Sequence, residues 1–377
     1  MANLPSGGEC APGFDVIRPA FEAVLAADAA STRQGIGASF AVWHRGARIV
    51  SLYGGYTDKA AETPWAEDTL ACVYSSGKAV VAYLIAEAVG AGLLDYEAPI
   101  SAIWPDFAAA GKGAVTLGQV LSHQAGLPGF VDPVAPEIWL NWDATCAALA
   151  AMTPLWVPGS AQGYHPQTYG YLAGEPLRRA TGQSVGTLIG EKGLDVYCGI
   201  DQTIAPRTAV MVKPPKAPDL GEINPATKAA FLERWSAPAS VARADWLAAE
   251  IPASNMHASA AGLAALVHPL GNGGKDSSGQ ATLAPDVLEA FFRTRSHRDD
   301  QILPFTLAWG AGMMRNVNRH FGPNENAMGH AGFGGSMVMI DPDHQISASF
   351  VMNRMSPHLV GDPRTLKLLD ALYGALK

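Results

Sequence analysis

Apolar residues first recur at helical spacing over residues 14–29, where Phe14, Ile17, Phe21 and Val24 or Leu25 share one face. Pro19 within this stretch predicts either a kink or the true first turn of the helix. Two strand-like runs follow, residues 37–44 and 47–53, joined across Arg45-Gly46 as a hairpin. Residues 54–74 are polar and turn-rich. The uncharged run AVVAYLIA, residues 79–86, then opens a long helical block that proline and glycine interrupt until about Ser254. Inside it, residues 205–219 (APRTAVMVKPPKAPD) predict an extended excursion, because proline excludes a regular helix or a central strand. Short helical patterns lie around 225–235 and 242–251, and a helix over 259–270 should stop at Gly271-Asn272-Gly273-Gly274. Strand patterns return over 307–314, 336–340 and 345–352, the last two separated by the turn Asp341-Pro342-Asp343-His344. A closing helix over 365–376 places Leu366, Leu369, Tyr373 and Leu376 on one stripe.

Strands at both ends of the chain most simply belong to one antiparallel sheet, with the helical block inserted between them. The expected architecture is therefore α/β (α+β), an antiparallel sheet flanked by N- and C-terminal helices plus an inserted all-helical domain. Residues 1–74 and 255–377 would form the sheet domain and 75–254 the helical one, with an active site in the cleft between them.

Composition narrows the function. The 377 residues are 48% hydrophobic and 16% charged, enough to bury a large core, so global disorder is excluded. The net charge of −8 comes without a basic run or basic–aromatic patch, which argues against nucleic acid as a partner. Cys10, Cys72, Cys146 and Cys198 are too scattered for a zinc knuckle or redox pair. No metal and no cofactor are predicted: no H-x-x-x-H pair, P-loop or G-x-G-x-x-G occurs. The start MANLPSGGECAPGF has neither a basic n-region nor an apolar h-region, and no window approaches a membrane span. A soluble, cytoplasmic enzyme acting on a small molecule, with no membrane partner, is the expectation.

Candidate chemistry begins at Ser75-Ser76-Gly77-Lys78. Ser75 and Lys78 leave the same face of a helix, and Lys78 heads a run with almost nothing polar in it. A serine hydroxyl needs a neighbour to take its proton, and a desolvated lysine can do so at neutral pH. A second candidate is Tyr164 in Tyr164-His165-Pro166, since a phenol held near a lysine can relay protons. The third is the glycine-rich stretch from Met328 to Ser336, containing His330, Ala331, Gly332 and Phe333, which suits an edge strand presenting N–H groups to a ligand oxygen. Gly182-Gln183-Ser184-Val185-Gly186 matches a G-x-S-x-G elbow, but a helix-like stretch over 170–181 precedes it where a strand is required. Ser184 therefore reads as a helix cap.

In this order the three elements resemble the serine β-lactamase and penicillin-binding superfamily, which uses S-x-x-K, then Y-x-N, then K-T-G. The chain is most similar to its class C β-lactamase-like carboxylesterases, esterase family VIII. Gly92-Leu93-Leu94-Asp95, Leu121-Ser122-His123-Gln124-Ala125-Gly126-Leu127 and the Gly332 to Asp341 stretch extend the likeness over residues 15–375. The resemblance implies Ser75 as acylated nucleophile, Lys78 as its base and Tyr164 as a second proton-relay group. It implies an oxyanion hole from the backbone N–H groups of Ser75 and Phe333, and a substrate-binding strand at His330-Ala331-Gly332. Two departures bear on substrate. Pro166 stands where β-lactamases place an asparagine side chain that contacts substrate and lysine, and His330 replaces the lysine that helps hold the lactam carboxylate. Both point away from efficient lactam turnover and towards neutral esters, and the resemblance implies a preference for short acyl chains. β-Lactamase, D-alanyl carboxypeptidase or D-peptidase activity on the same fold is the alternative, and a non-catalytic binding relative the second.

Overall fold

The computed structural model describes residues 4–376. Its strands are β1 (Ser6–Cys10), β2 (Gly37–His44), β3 (Ala47–Gly55), β4 (Ala71–Cys72), β5 (Val196–Tyr197) and β6 (His257–Ala258). They continue with β7 (Ser296–Asp299), β8 (Thr306–Trp309), β9 (Met314–Arg315), β10 (Met328–Ala331), β11 (Met337–Asp341) and β12 (Ile346–Met352). Nine of them form one sheet in the order β1-β3-β2-β12-β11-β10-β9-β8-β7, every pair antiparallel. Strands from the two ends of the chain meet at β2–β12, where Phe40 lies opposite Phe350. The fold is thus the α/β arrangement that the pattern of strands and helices predicts, and it agrees with the β-lactamase-like architecture that the resemblance implies. A three-stranded sheet, β4-β6-β5, lies outside that expectation.

The first hairpin closes through Arg45 and Gly46, with φ of 52° and 83°. Positive φ at both positions is type I′ geometry, whose twist matches that of the flanking strands. The first helix runs Ile17–Ala30, so Pro19 marks its first turn rather than a kink. It buries Ile17, Phe21, Val24 and Leu25 on one sheet face, beside the closing helix Pro363–Ala375. That closing helix buries Thr365, Leu368, Leu369, Leu372 and Tyr373. Leu366 and Leu376, expected on its inner stripe, are only half-buried: the buried arc is centred a turn's fraction away, where the helix meets its neighbour.

On the other face the helix Ala260–Gly271, capped by Ser259, packs on β2, β11 and β12 and leads to the buried helix Gly77–Gly90. Residues 307–314 form two strands instead of one, because the chain turns through Gly310–Gly312, with φ of 93° at Gly312. Sequence reasoning missed the helix Pro285–Phe292 although Val287, Leu288, Phe291 and Phe292 recur at helical spacing, whereas β1 (SGGEC) and β7 (SHRD), both largely polar and exposed, carry no periodic signal. The proline-rich excursion is held to the body by backbone bonds, Val212 N–H to Asn353 O and Met355 N–H to Val212 O. Among the described residues no helix is long and apolar enough to cross a membrane.

Candidate active site

Ser75 stands in one tight turn, Tyr74–Ser76, that runs directly into the helix Gly77–Gly90. Tyr74 has φ of 46°, a left-handed conformation costing a non-glycine residue about 1–3 kcal/mol. Surrounding contacts hold it there. Its ring meets Phe333 edge-on at 5.6 Å, and its hydroxyl reaches Met355 Sδ at 4.0 Å. Gly77 is required next, since a Cβ there would lie 2.8 Å from Met256 Sδ and 3.0 Å from Pro252 O.

Lys78, in the first turn of that helix, is fully buried. Its Nζ lies 2.9 Å from Ser75 Oγ, 2.8 Å from Pro166 O and 3.1 Å from Ala253 O. None of these partners is an anion, and burial alone lowers the Lys78 pKa well below the ordinary lysine value. A neutral amine has two N–H donors and one lone pair. Two carbonyls take the donors, and the lone pair is left for the Ser75 hydroxyl. Pro166 lacks the amide of the asparagine it replaces, yet it still contacts the lysine through its main-chain carbonyl.

Tyr164 is buried beside this pair. Its ring centre is 4.9 Å from Lys78 Nζ, and it lines the cleft beside Ser75. Burial raises its pKa, the Ser75 contact lowers it, and the Asp300 carboxylate raises it further, so the group is a protonated phenol at neutral pH. Asp300 also places it: Oδ1 accepts from the N–H groups of Tyr164 (2.9 Å), Ile302 and Leu303. On the other side, His123 Nδ1 accepts the His165 N–H at 3.1 Å, and the His123 ring packs 4.8 Å from that of Tyr164. Both histidines are fully buried, and burial lowers their pKa values, to about 3 for His165.

The glycine-rich strand behaves differently from one residue to the next. Ala331 and Phe333 line the cleft with Ser75 and Tyr164. His330, expected on the substrate-binding strand, is instead fully buried behind it, its ring 6.1 Å from Tyr164 and 5.7 Å from Trp309. Successive residues of a strand face opposite sides, so Ala331 reaches the cleft and His330 cannot. Burial holds its pKa at about 3, leaving it uncharged. Gly332 faces the nucleophile turn: a Cβ there would collide with Ser336 Oγ and Val73 O.

That close approach is locked by two serines. Ser76 Oγ lies 3.1 Å from Ser336 Oγ and 3.3 Å from His330 O, while Ser336 Oγ donates to Val73 O at 2.7 Å. The backbone N–H groups of Ser75 and Phe333, on the two sides of this contact, donate to no protein acceptor among the described residues. Ser184 lies apart from the cleft: its hydroxyl caps the helix Val185–Gly190 and donates to Glu250 at 2.6 Å.

The cleft in front of Ser75 has a volume of ≈ 560 Å³ and mostly apolar walls. Trp246, Phe231 and Leu303 contribute to them. Phe130, Trp139 and Trp309 pack in the core instead, and Trp142 packs against it. Sequence reasoning missed Asp300, Ser76 and Ser336. Asp300 acts on a residue 136 positions away, and single serines carry no periodic signal.

The model of the Beta-lactamase family matches residues 21–372. The chain is 30% identical over 373 residues to "Esterase/beta-lactamase LipL" of Mycobacterium tuberculosis (strain ATCC 25618 / H37Rv), covering 92% of this chain and 84% of that protein. Among solved structures it is similar to a penicillin-binding protein homologue from Caulobacter crescentus, with TM-score 0.92 and 42% identity over 98% of this chain and 100% of that one. It is also similar to a family VIII carboxylesterase, with TM-score 0.89 and 33% identity over the same shares. Family match, fold and an S-x-x-K serine paired with its lysine agree: the chain belongs to the beta-lactamase family and is a hydrolase of that superfamily.

Proposed function

We propose that this protein is a carboxylesterase working through an acyl-enzyme on Ser75. The observation that carries the reading is the 2.9 Å contact between Ser75 Oγ and a lysine amine that has no anionic partner among the described residues. In the first half-reaction the Ser75 proton passes to the Lys78 lone pair as Oγ bonds the ester carbon. The oxyanion so formed is met by the Ser75 and Phe333 N–H groups. The ester C–O bond then breaks, and the leaving alkoxide takes a proton from the Tyr164 phenol, which Lys78 replenishes. Water, deprotonated by the same groups, attacks the acyl carbon, and Ser75 leaves with a proton restored.

Preference for esters over lactams rests on what the site offers a carboxylate. His330 is uncharged and buried away from the cleft, and position 166 has no side-chain amide. The names of the relatives support both activities: one is called an esterase/beta-lactamase and another a penicillin-binding protein homologue. Amide hydrolysis on the same serine is therefore the second reading. Steady-state kcat/KM for short-chain p-nitrophenyl esters against nitrocefin separates them. Faster ester turnover is expected, and faster nitrocefin turnover would reverse the assignment.

A further inference from the structure

We propose that residues 217–238 form a fixed cap that restricts the site to uncharged, apolar esters and rejects those with a carboxylate near the reacting bond. This inference rests on the serine-esterase reading above. The segment is two-sided. Pro218, Leu220, Phe231, Leu232 and Pro238 stand in the cleft wall. Of the charged residues interleaved with them, Asp219, Glu222, Lys228 and Arg234 are exposed and Glu233 is half-buried, and none takes part in that wall. Apolar residues of the sheet side, Leu303, Met314 and Val360, complete the wall, and among the described residues no lysine, arginine or histidine lines it.

The cap is tied down rather than free. Asn224 Nδ2 donates to Gln301 O at 2.8 Å, and Trp235 Nε1 donates to Phe130 O at 2.9 Å. Trp139 Nε1 donates to Trp235 O at 2.8 Å, and Gly129 lies so close to Ala229 O that a Cβ would collide with it. A substrate carboxylate in this space would lose its water and gain no cation in return, and an unpaired buried charge is among the most costly arrangements a protein can hold. The chain's net charge of −8 adds repulsion at long range. The volume of ≈ 560 Å³ lies within the range of about 300–1,000 Å³ that encloses a drug-sized ligand, so an ester with a substantial apolar body fits.

Two p-nitrophenyl esters of adipic acid test this, one with the far carboxyl methylated and one with it free. We expect kcat/KM for the neutral ester to exceed that for the anion by about 100-fold or more. Leu220→Lys should raise the anion's kcat/KM relative to the neutral ester at least about tenfold. Leu232→Lys, at a position 52% exposed, serves if the first variant does not fold. A wild-type ratio below about tenfold, or a ratio that neither folded lysine variant narrows, overturns the proposal. A fluorophosphonate probe keeps the two levels apart. Labelling of Ser75 with no discrimination between the esters sinks the cap alone, whereas no labelling and no turnover sinks the underlying reading.

Discussion

The Lys78 amine donates to the carbonyl of Pro166 at 2.8 Å, so the residue that departs from the superfamily's asparagine still holds the lysine, by its backbone. The consequence is a base without a counter-ion. Lys78→Ala should lower kcat by about 10²–10⁴-fold, because general-base assistance is lost and the Ser75 hydroxyl keeps its proton. Lys78→Arg should fare no better, since a guanidinium stays protonated. Thermal unfolding run alongside should show both proteins folded. Near-wild-type kcat in folded Lys78→Ala would remove the lysine from the mechanism.

The same burial sets the acid limb of the pH profile. Lys78 works only as a neutral amine, and burial moves its pKa down. Activity should therefore rise with pH through that lowered value and fall below it. A profile of kcat/KM that instead rises only near the ordinary lysine pKa of 10.5 would contradict a desolvated base.

Ser76 and Ser336 hold the nucleophile turn against β10. Ser336→Ala removes the bond to Val73 O, at a net stability cost of about 1 kcal/mol. Its larger effect should be on kcat, down about tenfold or more with KM little changed, because the Ser75 and Phe333 N–H groups lose their spacing. Gly332→Ala should do more damage, since its Cβ collides with Ser336 Oγ and Val73 O. Equal kcat in wild type and Ser336→Ala would assign the serine pair to packing alone.

Tyr164 depends on Asp300 for its position, while burial first, and the Asp300 charge after it, raise its pKa. Tyr164→Phe should lower kcat by orders of magnitude in a folded protein. Asp300→Asn keeps an oxygen for the three N–H groups but deletes the charge that raises the phenol pKa. The alkaline limb of kcat should then shift to lower pH. An unmoved limb would show that the carboxylate charge does not reach the phenol.

Stability should fall in mild acid. His165 and His330 have folded-state values of about 3, and His257 and His268 of about 4, against 6.5 in the unfolded chain. Between those limits the unfolded chain binds more protons than the native one. Their contribution is therefore fully present above pH 6.5 and is lost as pH drops towards 3 to 4. Thermal midpoints measured from pH 7.5 to 5 should decline, and His330→Gln should flatten the decline by up to about one proton's slope.

The fold was readable where periodicity is strong. The hairpin at Arg45-Gly46, the uncharged helix after Lys78 and the strands around the Asp341 turn all carry local signals that tertiary contacts reinforce. β1 and β7 carry none, because edge strands of glycine, serine and charged residues are stabilised by their partners' backbones rather than by their own side chains. At the site, Ser75, Lys78 and Tyr164 could be proposed from residue type and order, and the structure brings them together. The roles of Asp300, Ser76 and Ser336 could not, since each depends on a contact with chain far away in sequence. His330 shows the complementary limit: a motif position indicates the strand, and only the pleat decides which side of it faces the cleft.

Mass spectrometry of the intact protein and its peptides after treatment with a fluorophosphonate tests the central claim most directly. A single adduct on Ser75, abolished in Ser75→Ala and strongly slowed in Lys78→Ala, is the predicted result. An adduct that persists in Ser75→Ala, or that maps to Ser184, would contradict it.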